Sequence, residues 1–194
     1  MAASATSAEA LQLALELMGE DASLSGVAEG FRRRIREFLR EHGPIALTRD
    51  CMPGHLTASC LLWDAAGERV LLHHHRKLDL WLQFGGHCDG DGDVRRVALR
   101  ETVEESGIEP AFLTPRPVDY DIHTIPARPA KADRAAEPEH VHLDVRFLAR
   151  ATEGASERIS EESIALAWLT PRAALDQGLD DSLARMLALG PPAR

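Results

Sequence analysis

The segment Gly86–Ile108 constrains this chain more than any other, because it joins a glycine turn, a polar loop and a helix with clustered acids. On a helix, Glu101, Glu104 and Glu105 occupy positions i, i+3 and i+4, so their three carboxylates project from one face. Carboxylates this close repel one another, and a hard divalent cation such as Mg²⁺ or Mn²⁺ removes the repulsion because it prefers oxygen ligands. The segment therefore predicts a metal-holding helix, with a solvated acidic face as the alternative.

The same segment resembles the signature of Nudix hydrolases, G-x5-E-x7-R-E-U-x-E-E-x-G-U, in which U is an apolar residue. Gly86 takes the first glycine, and the stretch 100–108 is in register with the far end of the signature. Two positions depart from it: Gly92 stands where the isolated glutamate would fall, and Thr102 takes the first apolar position. The resemblance implies a metal-dependent hydrolase with the α/β/α sandwich of that family.

The patterns around the signature favour an α+β fold. Alternating or continuous apolar runs predict strands at 56–63, 69–75, 81–84, 117–125, 140–149 and 164–169. Helical spacing predicts two helices before residue 44, the signature helix at about 94–106, and two short helices after Pro171. This order indicates a mixed sheet with helices on both faces, in agreement with a Nudix-like α/β/α sandwich that carries an N-terminal helical extension.

We expect two parts in the chain. Residues 1–44 form an N-terminal helical extension that packs on the main domain, and residues 45–194 form the Nudix-like hydrolase domain. The arginines at positions 32, 33, 34 and 36 are expected to form a solvated face of the second helix. The apolar faces of the extension suit a homodimer, and a packed monomer would show the same pattern.

Composition narrows the classes of partner. The formal charge is −9, from 22 basic and 31 acidic residues, which argues against a general nucleic-acid binder. No apolar run reaches the ~20 residues of a membrane span, and the first residues lack the basic region of a signal peptide. The three cysteines contain no C-x-x-C pair and fit a reducing compartment. We therefore expect a cytoplasmic protein with a small-molecule phosphoanhydride substrate, and neither nucleic acid nor membrane as a partner.

The resemblance assigns roles within the signature. It implies that Glu101, Glu104 and Glu105 hold Mg²⁺ or Mn²⁺ together with the backbone at Gly86. Arg100 would orient a glutamate through an ion pair, and Gly85 and Gly86 would let the backbone approach the substrate. The general base stays open between Glu101 and four distant acids, which are Glu137, Glu139, Glu161 and Glu162.

The strand 140–149 offers further candidates, because its polar residues alternate with apolar ones and share one face. His142 and Arg146 on that face, with His87 after the glycine turn, are candidates to bind substrate phosphates. A solvent-facing strand would explain the alternation equally well. The His140-x-His142 spacing would also suit zinc, if a third ligand came from His87, His123 or Cys88.

The expected function is metal-dependent hydrolysis of a phosphoanhydride bond in a nucleoside diphosphate linked to another moiety. A non-catalytic Nudix-like nucleotide-binding module is the alternative, favoured by Gly92. A third class is an isopentenyl-diphosphate isomerase-like protein, for which Cys88 is the only support. The sequence does not identify the substrate, and we expect specificity to lie in the first 42 residues, the 126–139 loop and the histidine strand.

Overall fold

The computed structural model describes residues 6–130 and 135–193, so residues 131–134 of the predicted 126–139 loop lie outside the described part. The helices are α1 (Ser7–Leu17), α2 (Gly26–His42), α3 (Val94–Ser106), α4 (Pro171–Leu175) and α5 (Asp181–Ala188), with a 3-10 turn at Gly43–Leu47. The strands are β1 (Gly54–Trp63), β2 (Val70–His75), β3 (Leu80–Leu82), β4 (Phe84–His87), β5 (Phe112–Leu113), β6 (Asp119–Ile125), β7 (His140–Arg150) and β8 (Ser163–Leu169). The predicted bounds of α3 are confirmed, and β5 was not predicted.

The eight strands of the described residues form one mixed sheet. Its path is β3-β2-β1-β7-β5, while β4 pairs with β1, β6 with β7 and β8 with β2. Strand β2 runs antiparallel to β1, β3 and β8, and β5 runs antiparallel to β7. Strands β1 and β7 are parallel. Val141 N donates to Pro53 O at the start of both strands, and Ala151 N donates to Trp63 O at the end of both. The mixed sheet with flanking helices confirms the expected fold class.

Contacts divide the chain into two compact units. The first comprises Met1–Thr57, His87–Val94 and Asp119–Val145, and the second comprises Ala58–Gly86, Arg95–Val118 and Arg146–Arg194. The second unit has an apolar core in which Leu61, Trp63 and Leu72 of the β1–β2 hairpin pack with Met186 of α5. The proposed division at residue 44 stays a prediction.

In the first unit, α2 packs on β6 and holds the end of α1 through its arginines. Arg32 is only 5% exposed; it donates to Met18 O at 3.0 Å and forms an ion pair with Glu29 at 2.6 Å. Arg36 donates to Met18 O and to Leu15 O. These bonds satisfy carbonyl groups that the last turn of α1 leaves open. The expected solvated face is therefore wrong for Arg32 and Arg36, although Arg33 and Arg34 are exposed.

Every helix in residues 6–130 and 135–193 is too short or too polar to cross a membrane.

Candidate active site

The signature forms strand β4, a loop and helix α3. Val97, Ala98 and Thr102 are fully buried on the inner face of α3. The Thr102 hydroxyl donates to Ala98 O at 2.7 Å, so its polar group is satisfied within the helix. This bond explains how threonine occupies a position where the signature has an apolar residue. The helix ends at Gly107, whose φ of 73° favours glycine.

The two glycines of β4 allow close contacts on both sides of the strand. A Cβ at Gly85 would lie 2.5 Å from Cβ of Ser59, so this glycine lets β4 lie against β1. A Cβ at Gly86 would lie 2.5 Å from Cδ and Oε2 of Glu101, so the Glu101 carboxylate lies directly over the Gly86 backbone. Arg100 donates to Oε1 of Glu101 at 2.6 Å, which forms the expected kind of ion pair.

Glu105 is the most buried acid of the site. It is 6% exposed, and one of its carboxylate oxygens accepts a hydrogen bond from Gly85 N at 3.0 Å. Burial raises the pKa of Glu105 to about 8, the hydrogen bond from Gly85 opposes this, and the negative charges of Glu101 and Glu162 add to it. Burial likewise raises the pKa of Glu101, against the lowering effect of Arg100. The positive charge and hydrogen-bond donors around both carboxyl groups therefore do not offset the cost of burying their negative charge.

Of the three signature glutamates, two are placed where they could bind a hard cation. Glu101 and Glu105 meet the Gly85–Gly86 backbone, and a divalent cation would offset the burial of their charges. Glu104 is exposed. Within the described residues, the carboxylates of the three glutamates do not all come within 4.8 Å of one another. The role of the three glutamates as metal ligands, and that of Arg100, stay predictions.

Among the distant acids, Glu162 is brought to the signature helix. Its negative charge raises the pKa of both Glu101 and Glu105. Arg76 fixes the backbone around it, because Arg76 N donates to Glu162 O at 2.8 Å and the guanidinium donates to the carbonyls on either side. Glu137, in contrast, forms an ion pair with Arg128 at 3.5 Å.

The first unit contains a cluster of histidines on neighbouring strands. His55 of β1, His87 of β4 and His142 of β7 have ring centroids 4.9–5.0 Å apart. Burial lowers the pKa of His87 to about 4, helped by the positive charge of Arg49, and lowers that of His142 to about 2, helped by the other histidines. Burial also lowers the pKa of His55. The three rings are therefore neutral at pH 7.

His55 was not predicted as a site residue, because it stands alone at the start of a strand with no partner at a recognisable spacing. The parallel pairing of β1 with β7 places it beside His142. His87 and His142, predicted from sequence as substrate-binding residues, do come together in this cluster. Their binding of substrate stays a prediction.

Strand β7 is covered on both faces, so the solvent-facing alternative is wrong. His140 and Asp144 are each 4% exposed, and Arg146 is 2% exposed. Asp144 accepts a hydrogen bond from Thr57 at 3.1 Å. Arg146 donates to Ser182 Oγ of α5 at 3.0 Å, and its predicted contact with substrate stays a prediction.

The departure at Gly92 has a packing reason. A Cβ at Gly92 would lie 1.8 Å from the carbonyl oxygen of Ala10 and 2.4 Å from its carbonyl carbon. The backbone of α1 therefore occupies the space into which a side chain at this position would extend. A glutamate fits there only if α1 moves, so glycine at this position follows from the N-terminal extension.

Comparison with known proteins identifies the fold and the family. The model of the NUDIX domain matches residues 53–189. The structure resembles dihydroneopterin triphosphate pyrophosphohydrolase of E. coli, with 17% identity, a TM-score of 0.55, and coverage of 69% of this chain and 92% of that chain. It also resembles an Ap4A hydrolase of C. elegans in a binary complex, with 21% identity, a TM-score of 0.51 and the same coverage.

A third similar structure is the NUDIX domain of NrtR from Shewanella oneidensis in complex with ADP ribose. It shows 19% identity and a TM-score of 0.50, over 69% of this chain and 84% of that chain. No curated protein sequence matches the chain. The resemblance to solved structures concerns the fold, whereas the family match covers most of the chain and includes the whole signature. The chain therefore belongs to the Nudix family, and the prediction of a Nudix-type hydrolase of acid anhydrides is confirmed at the level of that family.

Proposed function

We propose that this protein hydrolyses a phosphoanhydride bond in a nucleoside diphosphate linked to another moiety, in a reaction that needs Mg²⁺ or Mn²⁺. The observation that carries the proposal is the pair of carboxyl groups against the Gly85–Gly86 backbone, that of Glu105 buried and that of Glu101 half-buried. Isolated buried carboxyl groups are unfavourable, and a site of this kind suits a cation and a polyanionic ligand.

In this proposal Glu101 and Glu105 hold the cation with the carbonyl of Gly86, and Glu104 joins them from its exposed position. The bound cation supplies positive charge that offsets the negative charge of the diphosphate. Arg100 keeps Glu101 in place through their ion pair at 2.6 Å. The N–H of Gly85 keeps Glu105 in place, and the missing Cβ of Gly86 lets the Glu101 carboxylate lie against the backbone.

Glu162 is our choice for the general base. It would take a proton from the water that attacks phosphorus, while the bond from phosphorus to the bridging oxygen breaks and the departing phosphate keeps that oxygen. Its position supports this role, because its charge acts on both Glu101 and Glu105 and Arg76 fixes its backbone. Glu101 is the alternative base, although its ion pair with Arg100 favours a holding role.

The two other classes of function receive less support. Gly92 favoured a non-catalytic module, but its contact with the backbone of α1 gives a packing reason for the departure. The isomerase-like class needs a reactive cysteine in the site, and Cys88 is only 1% exposed. Both observations leave the hydrolase as the better supported proposal.

The test is release of phosphate or nucleotide from a substrate panel, with Mg²⁺, with Mn²⁺ and with EDTA. The panel holds nucleoside triphosphates, ADP-ribose, NADH, nucleotide sugars, CDP-alcohols and dinucleoside polyphosphates. We expect cation-dependent turnover of at least one diphosphate-linked substrate, and a loss of orders of magnitude in Glu105→Gln. Full activity in that variant would contradict the site, and no turnover by a folded protein that binds Mg²⁺ would favour the binding module.

Glu162 is tested with its neighbour as a matched control. Glu162→Gln should lower kcat by about 100-fold or more, with a smaller effect on KM, because general-base catalysis contributes about that much. Glu161→Gln changes the charge equally, and it should keep most of the activity. Equal losses in the two variants would show that net charge matters and that Glu162 is not the base.

A further inference from the structure

We propose that His55, His87 and His142 form a second metal site, which takes Zn²⁺ or a similar transition-metal ion and is separate from the carboxylate site. The three residues lie on β1, β4 and β7, and β1 pairs with both other strands. Three neighbouring strands thus contribute one imidazole each. The sheet framework sets their spacing before any ion binds, so the site is pre-organised.

The distances suit a three-histidine site. One ligand nitrogen from each of the three rings lies within 4.8 Å of the other two. Three atoms at that upper limit lie about 2.8 Å from their common centre, and zinc–nitrogen bonds are about 2.0–2.1 Å long, so a movement of under about 1 Å per ring would complete the site. No other group of three histidine, cysteine or acidic ligands in residues 6–130 and 135–193 is this close.

The unsatisfied nitrogens of His55 are an independent indication of a missing ligand. His55 is 4% exposed, and neither of its ring nitrogens has a hydrogen-bond partner of normal geometry among the described residues. The backbone of Cys51 is near enough to favour the protonated ring, but it does not supply such a bond. Buried polar atoms are almost always paired in folded proteins. A metal ion would give one of these nitrogens the partner that the protein does not provide.

The chemistry of the cluster selects the class of ion. Imidazole nitrogen suits zinc and its neighbours in the transition series, whereas Mg²⁺ and Mn²⁺ favour the oxygens of the glutamates. Three protonated rings at this spacing would repel one another, so the cluster suits neutral rings, and neutral imidazole is the form that binds metal. Three protein ligands also leave a fourth position for a water or a substrate group.

Two further histidines border the cluster. His123 lies 5.3 Å from the ring of His142 and pairs with the carboxylate of Asp121 at 3.3 Å. His140 stacks on His55 at 4.9 Å, and its Nδ1 lies 3.0 Å from Pro138 O. His123 and His140 are neighbours of the proposed ligands, and each is itself held by a carboxylate or a carbonyl. The structure therefore changes the zinc site suggested by the sequence: His142 stays a ligand, His55 replaces His140, and His87 is the third ligand.

The experiment is calorimetric titration of the EDTA-treated 194-residue chain with Zn²⁺ in millimolar Mg²⁺, which is added to fill the proposed carboxylate site. We expect one equivalent of Zn²⁺ that Mg²⁺ does not displace. His87→Gln and His142→Gln should each weaken binding by roughly 100-fold or more. His42→Gln, at the end of α2 and outside the cluster, and Glu105→Gln should bind Zn²⁺ as the unmodified protein does.

Spectroscopy distinguishes this site from others. Zinc X-ray absorption should show nitrogen ligands at about 2.0–2.1 Å and no sulfur. Circular dichroism checks that each variant is folded, and His87→Gln is the safer variant because His87 is only half-buried. Absence of Zn²⁺ binding by the folded protein, full binding in both histidine variants, or loss of binding in Glu105→Gln would each overturn the proposal.

Discussion

Neutralising Glu105 should stabilise the metal-free protein, in a way that depends on pH. The pKa of Glu105 is about 8 in the folded protein, against 4.5 as its ordinary value. Because the folded pKa is raised, the contribution of this group to stability is fully present below pH 4.5 and is lost as pH rises towards 8. At pH 7 the loss amounts to about 3 kcal/mol, and at pH 5 to about 1 kcal/mol. Glu105→Gln removes this loss and keeps an acceptor for Gly85 N.

The assay is urea denaturation in EDTA at pH 5, 6, 7 and 8. The free energy of unfolding of Glu105→Gln should exceed that of the unmodified protein by an amount that grows with pH and reaches about 3 kcal/mol at pH 7. That difference corresponds to a rise in Tm of roughly 6–12 °C. Glu104→Gln is the control, because Glu104 is exposed and its neutralisation should leave the free energy of unfolding nearly unchanged. Saturating Mg²⁺ should stabilise the unmodified protein more than Glu105→Gln. Parallel pH profiles of the two proteins, or a less stable variant at pH 7, would refute this reasoning.

Three further predictions concern packing, each measured by denaturation and activity. Gly86→Ala should fold but lose activity, because the added Cβ meets only the side-chain carboxylate of Glu101 and would displace it. Gly85→Ala should lose about 1–3 kcal/mol of stability, since its Cβ meets the backbone of β1. Gly92→Ala should lose at least as much, because its Cβ meets the backbone of α1; an unchanged Tm would contradict that packing. Arg32→Ala should cost about 1–3 kcal/mol, because it removes one of the two arginine donors to Met18 O and the ion pair with Glu29; Arg33→Ala, at an exposed position, should cost almost nothing.

The sequence predicted the parts of the fold that depend on local patterns. The helix at 94–106 was predicted with its final bounds, because its apolar face and its glycine stop lie within one short segment. The hairpin of β1 and β2 was predicted for the same reason, and Trp63 does pair with Val70. Strand β5 was missed, since two residues are too few to show a period.

The residues of the candidate site also fall into those that the sequence pattern predicted and those that only the structure singled out. Glu101, Glu104 and Glu105 were found from their spacing on one helix, and the pairing of Arg100 with a glutamate follows from their adjacency in sequence. Glu162 was one of four equivalent distant candidates, beside Glu101, until the structure brought its charge to the helix. The same holds for His140, His142 and Arg146, which share a sequence pattern but differ in their partners.

By itself, the sequence determined the family, the mixed α+β architecture and the acids of the signature helix, because these depend on residue types at fixed spacings along the chain. Tertiary structure alone decided that His55 joins His87 and His142, that α1 occupies the space at Gly92, and that Arg32 is buried. The physical reason is that each of these contacts joins segments distant in sequence. Such contacts depend on strand pairing and helix packing, which leave no periodic pattern in either segment.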